Sequence, residues 1–585
     1  MRFSRSNGTS RRPALLLLVT VMALIVGLVT PGPIQATAGD LQVIVGLAPG
    51  STVDALALVE GVGGEYVRSL DVINGFSATV PADRVPHLRI NAAVTSVVVD
   101  GELEVLEDGW EDASAIWASK ADYHPGSMES IVAHTINADE FWDHGYHGKG
   151  VDIALIDSGV VPVTGLNTAG KVINGPDLSF ESQSDDLRYM DTYGHGTHLA
   201  GIIAGNDGTN SGFKGVAPAS RIVNIKVANY EGAVDVSQVI AAIDWVVQHR
   251  HDNGMNIRVI NLAYGTDSKQ SPNLDPLSYA VEQAWRAGIV VVVAAGNDGN
   301  PIALRDPAFN PYVVAVGASD SNSTASPNND SVTTFTNCGA SDRFIDVLAP
   351  GRSIISLRNP GSAADVDYPE ARIGDRFFLG SGTSQASAVV SGAAALILSK
   401  YPTATPDEVK AYLIASGDPA KTENKYCSTA HLVDLEDIYG GDFRAKPRLQ
   451  GHGSYGSGTG TLEGARGSHH VAVDGLVLEG EQDIFGQKWN AEYWAKLAAN
   501  YMSWDGGDWN GSSWAGTSWA GTSWSGTSWS GTSWSGTSWS DYVWSGTSWS
   551  GTSWSGTSWS GTSWSGTSWS GTSWSGSDWL GLSWG

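Results

Sequence analysis

Three short motifs carry residue types that are suited to nucleophilic catalysis. Asp157 ends the apolar run VDIALID, His195 and His198 lie in GHGTHLAGIIAG, and Ser384 begins the small-residue stretch SQASAVVSGAAALIL. A carboxylate at the carboxyl end of a parallel strand points into the ligand crevice of an α/β sheet. A hydroxyl at the start of a buried helix faces free backbone N–H groups and the positive end of the helix dipole.

Each motif also has a simpler interpretation. Asp157 can be a turn or helix-capping residue, and Ser384 can be an ordinary N-cap serine. His195 and His198 are three residues apart and can ligate a metal, although no acidic residue stands at the spacing of a zinc motif. Taken singly, none of the motifs decides between these interpretations.

Together, the motifs follow one another in the order Asp, His, Ser, which is the chain order of subtilisin. The sequence resembles the subtilisin-like serine proteases over roughly residues 130–440. The resemblance rests on GKGVDIALIDSGV, GHGTHLAGIIAG, GVAP at 215–218, VINLAYG, VVVAAGN, DVLAPG and GTSQAS. It implies a serine endopeptidase that hydrolyses polypeptide substrates through an acyl-enzyme and requires no cofactor for the chemistry.

The resemblance implies a role for each residue of the motifs. Ser384 would be the nucleophile, His195 the general base and acid, and Asp157 the group that orients the imidazole. His198 matches the second, non-catalytic histidine of the family and is expected to be structural. Asn297, after the buried run of VVVAAGN, matches the asparagine that forms the oxyanion hole together with the Ser384 N–H.

The resemblance also indicates where an extended peptide would pair with strand edges. The matching substrate-binding residues are Gly232, Ala233, Val234, Ala263, Tyr264 and Gly265, with Ala294, Ala295 and Gly296 at the first specificity pocket. Three residues depart from the usual pattern: Tyr264 in Ala-Tyr-Gly, where Ser-Leu-Gly is commonest, Gln385 in place of methionine, and Ala388 in place of proline. We expect Tyr264 to reshape the pocket wall, and Asp298 with Arg305 to crowd its rim.

Calcium often stabilises proteins of this family, and the segment GNDGTNSGFKGVAP lies near the matching loop. Asn206, Asp207 and Asn210 offer oxygen atoms there. A calcium ion takes about six to eight oxygen ligands. The same three residues are also common turn formers. They are therefore candidates for a structural calcium site, with a plain turn as the alternative.

Between residues 130 and 440, continuous apolar runs alternate with helical patterns such as DVSQVIAAIDWVVQHR. The apolar runs are VDIALID, RIVNIKV, IRVINLAYG, GIVVVVAAGN, YVVAVGA and FIDVLAPG. Continuous apolar strands are typical of parallel sheets that are buried on both faces. The predicted fold class is therefore α/β: a subtilisin-like parallel sheet with helices on both faces, preceded by a small α+β domain and followed by a low-complexity tail.

The N-terminus predicts export from the cell. Within residues 1–38, four arginines precede the apolar run ALLLLVTVMALIVGLVT, and the small residues Ala36-Thr37-Ala38 follow it. This arrangement is typical of a secretory signal peptide. An uncleaved membrane anchor is the alternative, although 17 apolar residues are at the short limit for a membrane span. We therefore expect a secreted, extracellular protein.

Residues 41–107 are predicted to form a separate α+β unit. The segments LQVIVGL, INGFSATVPADRVPHL and VTSVVVDGELEV resemble the inhibitory propeptide of the same proteases. An ordinary accessory domain is the alternative. The resemblance implies that the protein is a zymogen whose propeptide is a partner of its own active cleft. Self-cleavage is expected in the acidic processing linker, residues 108–129.

Composition limits the partners and the compartment. The formal net charge is −27, from 61 acidic and 34 basic residues. Nucleic acids and anionic membranes require a basic face, so neither is an expected partner. Cys338 and Cys427 are too few for a disulfide scaffold but can form one bridge in an oxidising compartment. The sequence alone does not decide whether they pair.

The C-terminal part is predicted as a Gly-rich linker with a short β segment, residues 441–488, and a tryptophan-rich SGTSW repeat tail, residues 489–585. From Trp504 to Trp584, tryptophan recurs every fifth residue. Five residues turn through about 500° on a helix, and an odd spacing alternates faces on a strand. Neither element aligns the tryptophans, so we expect a flexible or loosely β-like array, with a solenoid of five residues per face as the alternative.

The tail suggests attachment to a surface. Tryptophan has an apolar face and a polar edge, and many weak contacts on one chain give avidity. We expect the tail to hold the protease to a surface such as cell-wall glycan. One alternative is a cell-surface adhesive or structural protein whose protease domain serves maturation. A second is an inactive protease fold that only binds, against which the complete set of catalytic residues argues.

Overall fold

The computed structural model of the protein describes most of the chain between residues 40 and 581. The described residues are 40–47, 51, 53–70, 75–81, 84–89, 91, 93–99, 109–110, 128–182, 187–209, 212–299, 302–340, 343–419, 427, 430–441, 455–473, 476–484, 487–505, 508–510, 512–513, 518–520, 523–526, 529–546, 549–566, 569–575 and 578–581. The predicted signal peptide and most of the predicted processing linker lie outside them. Within them, we find no helix with the length and apolar character needed to cross a membrane.

The N-terminal domain is a four-stranded antiparallel sheet with two short helices. Along the sheet, the strands are Glu65–Leu70, Gly75–Pro81, Asp40–Leu47 and Val94–Val99, and the helices are Ala55–Gly61 and Val85–Arg89. Asp54 caps the first helix by accepting hydrogen bonds from two backbone N–H groups of its first turn. Alternate strand residues, among them Val43, Val45, Phe76 and Ala78, form a separate hydrophobic core.

The large domain is built on a mostly parallel sheet, here called the central sheet. Its parallel strands, in spatial order, are Val172–Asp177, Arg221–Lys226, Asp152–Asp157, Ile257–Leu262, Val290–Ala294, Val314–Asp320, Val347–Pro350 and His431–Leu432. Ser331–Val332 and Asp418–Pro419 add antiparallel pairs. Every residue of two inner strands is buried, so both faces of the sheet are covered. The α/β fold class is confirmed.

Helices connect and cover these strands. They are Asp139–Asp143, His195–Ala204, Val236–His249, Pro276–Arg286, Ala363–Asp367, Thr383–Lys400, Pro406–Ser416 and Leu435–Gly440, with short helical turns at Met128–Ala133, Asp252–Gly254, Pro327–Asn329 and Pro369–Ala371. Capping residues define their starts: Asp235 forms a capping box with Gln238, and Asp275 caps a helix whose first residue is Pro276. The helix that begins at His195 packs against the helix that begins at Thr383.

The strand order of the central sheet reverses beside Asp152–Asp157. After this strand, the chain adds two strands on one side and then returns to place Ile257–Leu262 on the other. In open α/β sheets, a ligand crevice forms at the carboxyl ends of strands at such a reversal. The candidate residues Asp157, Ala263 and Asn297 lie at or just after three strand ends of this kind.

A smaller antiparallel sheet leads the chain into Ser384. Its strand Phe377–Ser381 pairs with Ile354–Leu357, Arg372–Ile373 and, from the predicted processing linker, Gly109–Trp110. A separate short hairpin pairs Gly339–Ala340 with Arg343–Phe344. Beside this hairpin, Cys338 forms a disulfide with Cys427, with Cα atoms 5.1 Å apart. The structure thus pairs the two cysteines whose pairing the sequence left open.

Residues 455–510, here called the extension, pack into the large domain. The extension contains the helices Leu462–Arg466 and Ala491–Ala499 and the strand pairs Ala472–Val473 with Leu476–Val477 and Trp504–Asp505 with Asp508–Trp509, the last of which also pairs with Ser512–Ser513. The indoles of Trp494 and Trp509 both donate to Asp244, over 2.8 and 2.9 Å. The predicted boundary at residue 489 is therefore corrected, because buried tryptophans on both sides of residue 500 belong to the folded domain.

The repeats that follow form a coiled β structure, here called the repeat array. Its strands are Ser518–Ala520, Ser523–Gly526, Trp529–Gly546, Trp549–Gly566, Trp569–Ser575 and Asp578–Gly581. They pair in parallel at an offset of 20 residues, so that Trp529 lies opposite Trp549, and Trp549 opposite Trp569. Four pentapeptides therefore make one turn of the coil. The backbone follows the solenoid alternative rather than the expected flexible array, because a chain that turns after each pentapeptide repeats the same position on every side.

Candidate active site

Asp157 and His195 form a buried hydrogen-bonded pair at the carboxyl edge of the central sheet. Asp157 is the last residue of an inner strand, and His195 is the first residue of a helix. The Nδ1 of His195 donates to the Asp157 carboxylate, 2.8 Å from Oδ1 and 3.0 Å from Oδ2. This bond fixes the ring orientation and leaves Nε2 as the nitrogen that can accept a proton.

A second carboxylate, Asp191, supports this pair. It accepts hydrogen bonds from the backbone N–H of Gly194 over 2.6 Å and of Thr197 over 2.7 Å, and so caps the helix of His195. The hydroxyl of Ser158 donates to Asp191 over 2.7 Å, while the Ser158 N–H donates to Asp157 over 2.8 Å. Burial raises the pKa of Asp191, and these hydrogen bonds oppose that rise. Sequence reasoning missed Asp191, and its only signal was an acidic residue four positions before His195.

The first turn of the His195 helix lies very close to the strand end. A Cβ atom on Gly196 would stand 2.1 Å from the carbonyl oxygen of Gly159, so only glycine fits there. His198 is buried, and burial lowers its pKa to about 3. The neutral ring donates from Nε2 to the carbonyl of Phe378 over 3.1 Å. Among the described residues, no cluster of three or more histidine, cysteine or acidic side chains is arranged to hold a metal.

Ser384 and Asn297 meet at the amino end of a long buried helix. Ser384 is the second residue of the helix Thr383–Lys400 and is fully buried. The backbone N–H and the hydroxyl of Thr383 donate to Oδ1 of Asn297 over 3.0 and 2.9 Å. The amide is thereby oriented, and its Nδ2 is buried without a hydrogen-bond partner in the described part of the chain. This nitrogen is positioned as a donor beside Ser384, and Thr383 is a supporting residue that sequence reasoning missed.

The predicted substrate-binding segments follow elements that are fixed by the fold. Gly232 and Ala233 lie in a turn in which the Ala233 N–H donates to Oδ1 of Asn229 over 2.8 Å. Ala263, Tyr264 and Gly265 come directly after a central strand. Tyr264 is buried, and burial together with two nearby carboxylates raises the pKa of its hydroxyl well above the usual value. Its expected effect on the pocket wall stays a prediction.

The predicted first specificity pocket has an ion pair beside it. Ala294 and Ala295 are buried at the end of a central strand. Arg305 packs against Gly296 and pairs with Asp298 through both guanidinium and carboxylate edges. Burial alone would raise the pKa of Asp298, but hydrogen bonds from Arg305 and a neighbouring asparagine lower it. The ion pair lies where sequence reasoning expected the pocket rim to be crowded.

The remaining candidate residues are placed as follows. Gln385 and Ala388 are buried within the Ser384 helix. At the candidate calcium loop, the two carboxylate oxygens of Asp207 accept hydrogen bonds from Arg376 over 2.8 and 3.1 Å. Oδ1 of Asn206 accepts a hydrogen bond from the Gly208 N–H over 2.8 Å, and Asn210 lies outside the described residues. Calcium binding stays a prediction that titration of the melting temperature with calcium and a chelator would test.

Comparison with known proteins adds the evidence of family membership. The subtilase family profile matches residues 148–453, which is more than half of the chain. The chain belongs to the subtilase family. The match spans the motifs of Asp157, His195, Asn297 and Ser384, and it ends before the extension begins.

Individual subtilases resemble the same part of the chain. Serine protease AprX of Bacillus subtilis (strain 168) is 38% identical over 298 residues, which are 50% of this chain and 66% of AprX, just under two thirds of its length. Subtilisin DY of Bacillus licheniformis is 37% identical over 279 residues, 47% of this chain and 86% of that protein. An extracellular serine proteinase of Thermus sp. (strain Rt41A) is 30% identical over 60% of this chain and 73% of its own length. The catalytic domain is that of a subtilisin-like serine endopeptidase.

Among solved structures, the crystal structure of a cold adapted subtilisin-like serine proteinase matches at 29% sequence identity. It covers 50% of this chain and 90% of its own, with a TM-score of 0.39. The assignment to the subtilases rests on the sequence matches.

Proposed function

We propose that the protein is a secreted serine endopeptidase whose catalytic triad is Asp157, His195 and Ser384. The observation that carries the proposal is the buried 2.8 Å hydrogen bond between Asp157 and Nδ1 of His195, at the packing of the His195 helix against the Ser384 helix. A buried carboxylate that holds one tautomer of a histidine is the arrangement that general-base catalysis by Nε2 requires.

The chemistry follows from this geometry. The hydroxyl of Ser384 attacks the carbonyl carbon of the scissile peptide bond as Nε2 of His195 takes its proton. His195 then gives that proton to the leaving amine, and an acyl-enzyme ester remains. Water, activated by the same nitrogen, hydrolyses the ester. Asp157 stabilises the positive imidazolium in both steps without accepting a proton itself.

Negative charge on the tetrahedral oxygen is stabilised by two donors. Nδ2 of Asn297 is held in place because Thr383 engages the opposite end of the amide. The backbone N–H of Ser384 lies at the positive end of its helix dipole, in a buried site. Both donors are in position before substrate arrives, so they need not reorganise during the reaction.

A serine-directed phosphonate tests the assignment. The full-length protein is treated with the reagent and digested, and the modified peptide is located by mass spectrometry. We expect a single adduct on Ser384 and none on the serines of the repeat array. The Ser384→Ala variant should take up no label. Equal labelling of that variant, or an adduct elsewhere, would rule out Ser384 as the nucleophile.

We also propose that the enzyme cuts its own propeptide between about residues 107 and 130. The pairing of Gly109–Trp110 with Gly380 and Ser381 supports this, because it lays the linker antiparallel to the strand that leads to Ser384. N-terminal sequencing of the secreted protein should find a new terminus in this interval, and the Ser384→Ala protein should keep its propeptide. A fully active enzyme that begins near residue 39 would refute self-processing.

Export and attachment complete the proposal. The predicted signal peptide, the disulfide and the relative that is named an extracellular serine proteinase support secretion. The repeat array, with its aligned tryptophan positions, is the part proposed to bind cell-wall glycan. A protein retained at the surface chiefly for adhesion is the alternative function.

Deletion of residues 514–585 separates these functions. This cut keeps the buried tryptophans of the extension, so peptide hydrolysis should be unchanged while the enzyme moves from the wall fraction to the medium. Equal partition of both proteins would remove the retention role. If the active-site variant Ser384→Ala is retained and supports adhesion as well as the parent does, the adhesive alternative is favoured.

A further inference from the structure

The extension, which begins after the subtilase match ends, contacts the predicted substrate-binding segments from behind. Its residue Arg466 is almost completely buried. Nε of Arg466 donates to Oδ1 of Asp235 over 2.7 Å, and the two terminal nitrogens donate to the carbonyls of Gly480 and Gln482 over 2.7 and 2.5 Å. The guanidinium is therefore tied both to the extension and to the large domain.

Asp235 connects this contact to the first substrate-binding segment, because it directly follows Val234. Its carboxylate accepts a hydrogen bond from the Ser237 N–H over 2.9 Å, and its own N–H donates to Gln238 over 2.6 Å. It is thus the N-cap of the helix Val236–His249. Arg466 pairs with the residue at which the substrate-binding segment joins a rigid helix.

The neighbouring residues of the extension reach the second substrate-binding segment. Thr266, which follows Gly265, donates its hydroxyl hydrogen to the carbonyl of Ala465 over 2.6 Å. The N–H and hydroxyl of Ser468 donate to the Asp267 carboxylate over 2.6 and 2.9 Å. Between them, a Cβ on Gly467 would lie 2.1 Å from Asp267, and its φ of +66° also favours glycine.

We propose that residues 465–468 are a bracket that sets the distance between the two walls of the substrate cleft, and that Arg466 is its main positioning residue. The inference rests on the proposed function, because the walls are the predicted segments 232–234 and 263–265. A peptide strand that pairs with both walls needs neighbours at about 4.8 Å on each side. Misplacement of one wall therefore weakens binding of an extended peptide.

The bracket predicts an effect that depends on substrate length. An acylated tetrapeptide anilide spans both walls, whereas a short ester of a single acylated amino acid occupies little beyond the first pocket. In the full-length enzyme, Arg466→Met should raise the KM for the tetrapeptide about tenfold, leave its kcat within about twofold, and leave both constants for the ester unchanged. Arg466→Lys, which keeps the charge but loses the fork of donors, should lie between the parent and Arg466→Met.

Two further variants make the result interpretable. Arg466→Met leaves Asp235 as a buried unpaired charge, so the double variant Arg466→Met with Asp235→Asn retains a capping side chain without that charge and carries the test if the single variant does not accumulate. Arg221→Met is the matched control: it breaks the Arg221–Asp152 pair at the amino end of a central strand, away from the cleft. The control should change stability but neither KM.

Titration of active sites with the phosphonate separates the two possible failures. If the parent enzyme is not titrated at Ser384, the proposed function fails, whatever the bracket does. If the parent is titrated and the Arg466 variants bind the tetrapeptide as the parent and the Arg221 control do, the bracket is overturned and the extension only adds stability. A tenfold loss confined to the tetrapeptide supports the bracket.

Discussion

The same four residues, Ser-Gly-Thr-Ser, occur in two different settings in this chain. At residues 381–384 they join a buried strand to a buried helix, and Thr383 there holds the amide of Asn297. In the repeat array, as at residues 535–538, they pair with a copy of themselves 20 residues away. The difference shows that the reactivity proposed for Ser384 comes from the groups around it, since the local sequence is identical.

Replacement of the fourth residue in each setting gives the largest expected difference. Ser384→Ala should lower kcat by roughly 10⁶, the cost known for the triad serine of subtilisin, because no nucleophile remains. Ser538→Ala should leave kcat and KM unchanged. Hydrolysis of casein and of a peptide anilide measures both. Retention of the parent rate by Ser384→Ala would break the comparison.

Loss of the oxyanion donor should be the next largest effect. Asn297→Ala should lower kcat by about 10²–10³ with little change in KM, because the donor meets full negative charge only in the transition state; the range is that measured for the corresponding asparagine of subtilisin. Steady-state kinetics with the anilide separates the two constants. An effect on KM alone would contradict the assigned role.

The third residue of each quartet should behave differently as well. Thr383→Val removes the hydroxyl that donates to Asn297 but keeps the backbone N–H donor, so we expect kcat to fall by about tenfold, the cost of one hydrogen bond. Thr383→Ser should restore most of the rate. Thr537→Val, in the repeat array, is the matched control and should have no kinetic effect. Equal rates for the two valine variants would show that Thr383 does not orient the amide.

A smaller effect concerns the border between the large domain and the repeats. Burial raises the pKa of Asp244 to about 6, although Trp509 and Trp494 donate to it. The unfolded chain loses this proton near pH 4 and the folded protein near pH 6, so the group lowers the free energy of unfolding as pH rises between these values, by roughly 3 kcal/mol. Thermal unfolding of a variant ending at residue 513 should show this slope, and Asp244→Asn should remove it. An unchanged slope would assign it to other groups.

Motifs with local causes could be predicted from sequence, whereas contacts between distant segments could not. Continuous apolar runs gave the buried parallel strands, and the capping signals of Asp235 and Asp275 are local. The role of Asp191 depends on a serine 33 residues away, and the docking of Trp494 depends on an aspartate 250 residues away. Both tryptophans that meet Asp244 also keep the five-residue spacing of the repeats, so their burial has no separate signature in the sequence.

The edges of elements show the same limit. The strand Glu65–Leu70 was not predicted, because EYVRSL mixes charged and apolar residues in an edge strand that pairs on one side only. The coil of the repeat array was weighed only as an alternative, because the phase of five residues was judged on straight helices and strands. A chain that bends at each pentapeptide has a different rule.

That bend has a consequence for how such a protein can change over generations. Since each turn of the coil holds four pentapeptides and equivalent residues face one another across turns, gain or loss of one pentapeptide moves every later residue by one side of the coil. Tryptophan still lies opposite tryptophan afterwards. Slippage of a gene by whole repeat units can therefore lengthen or shorten the array without altering its ladder, whereas an insertion of any other length would set tryptophan against serine, glycine or threonine.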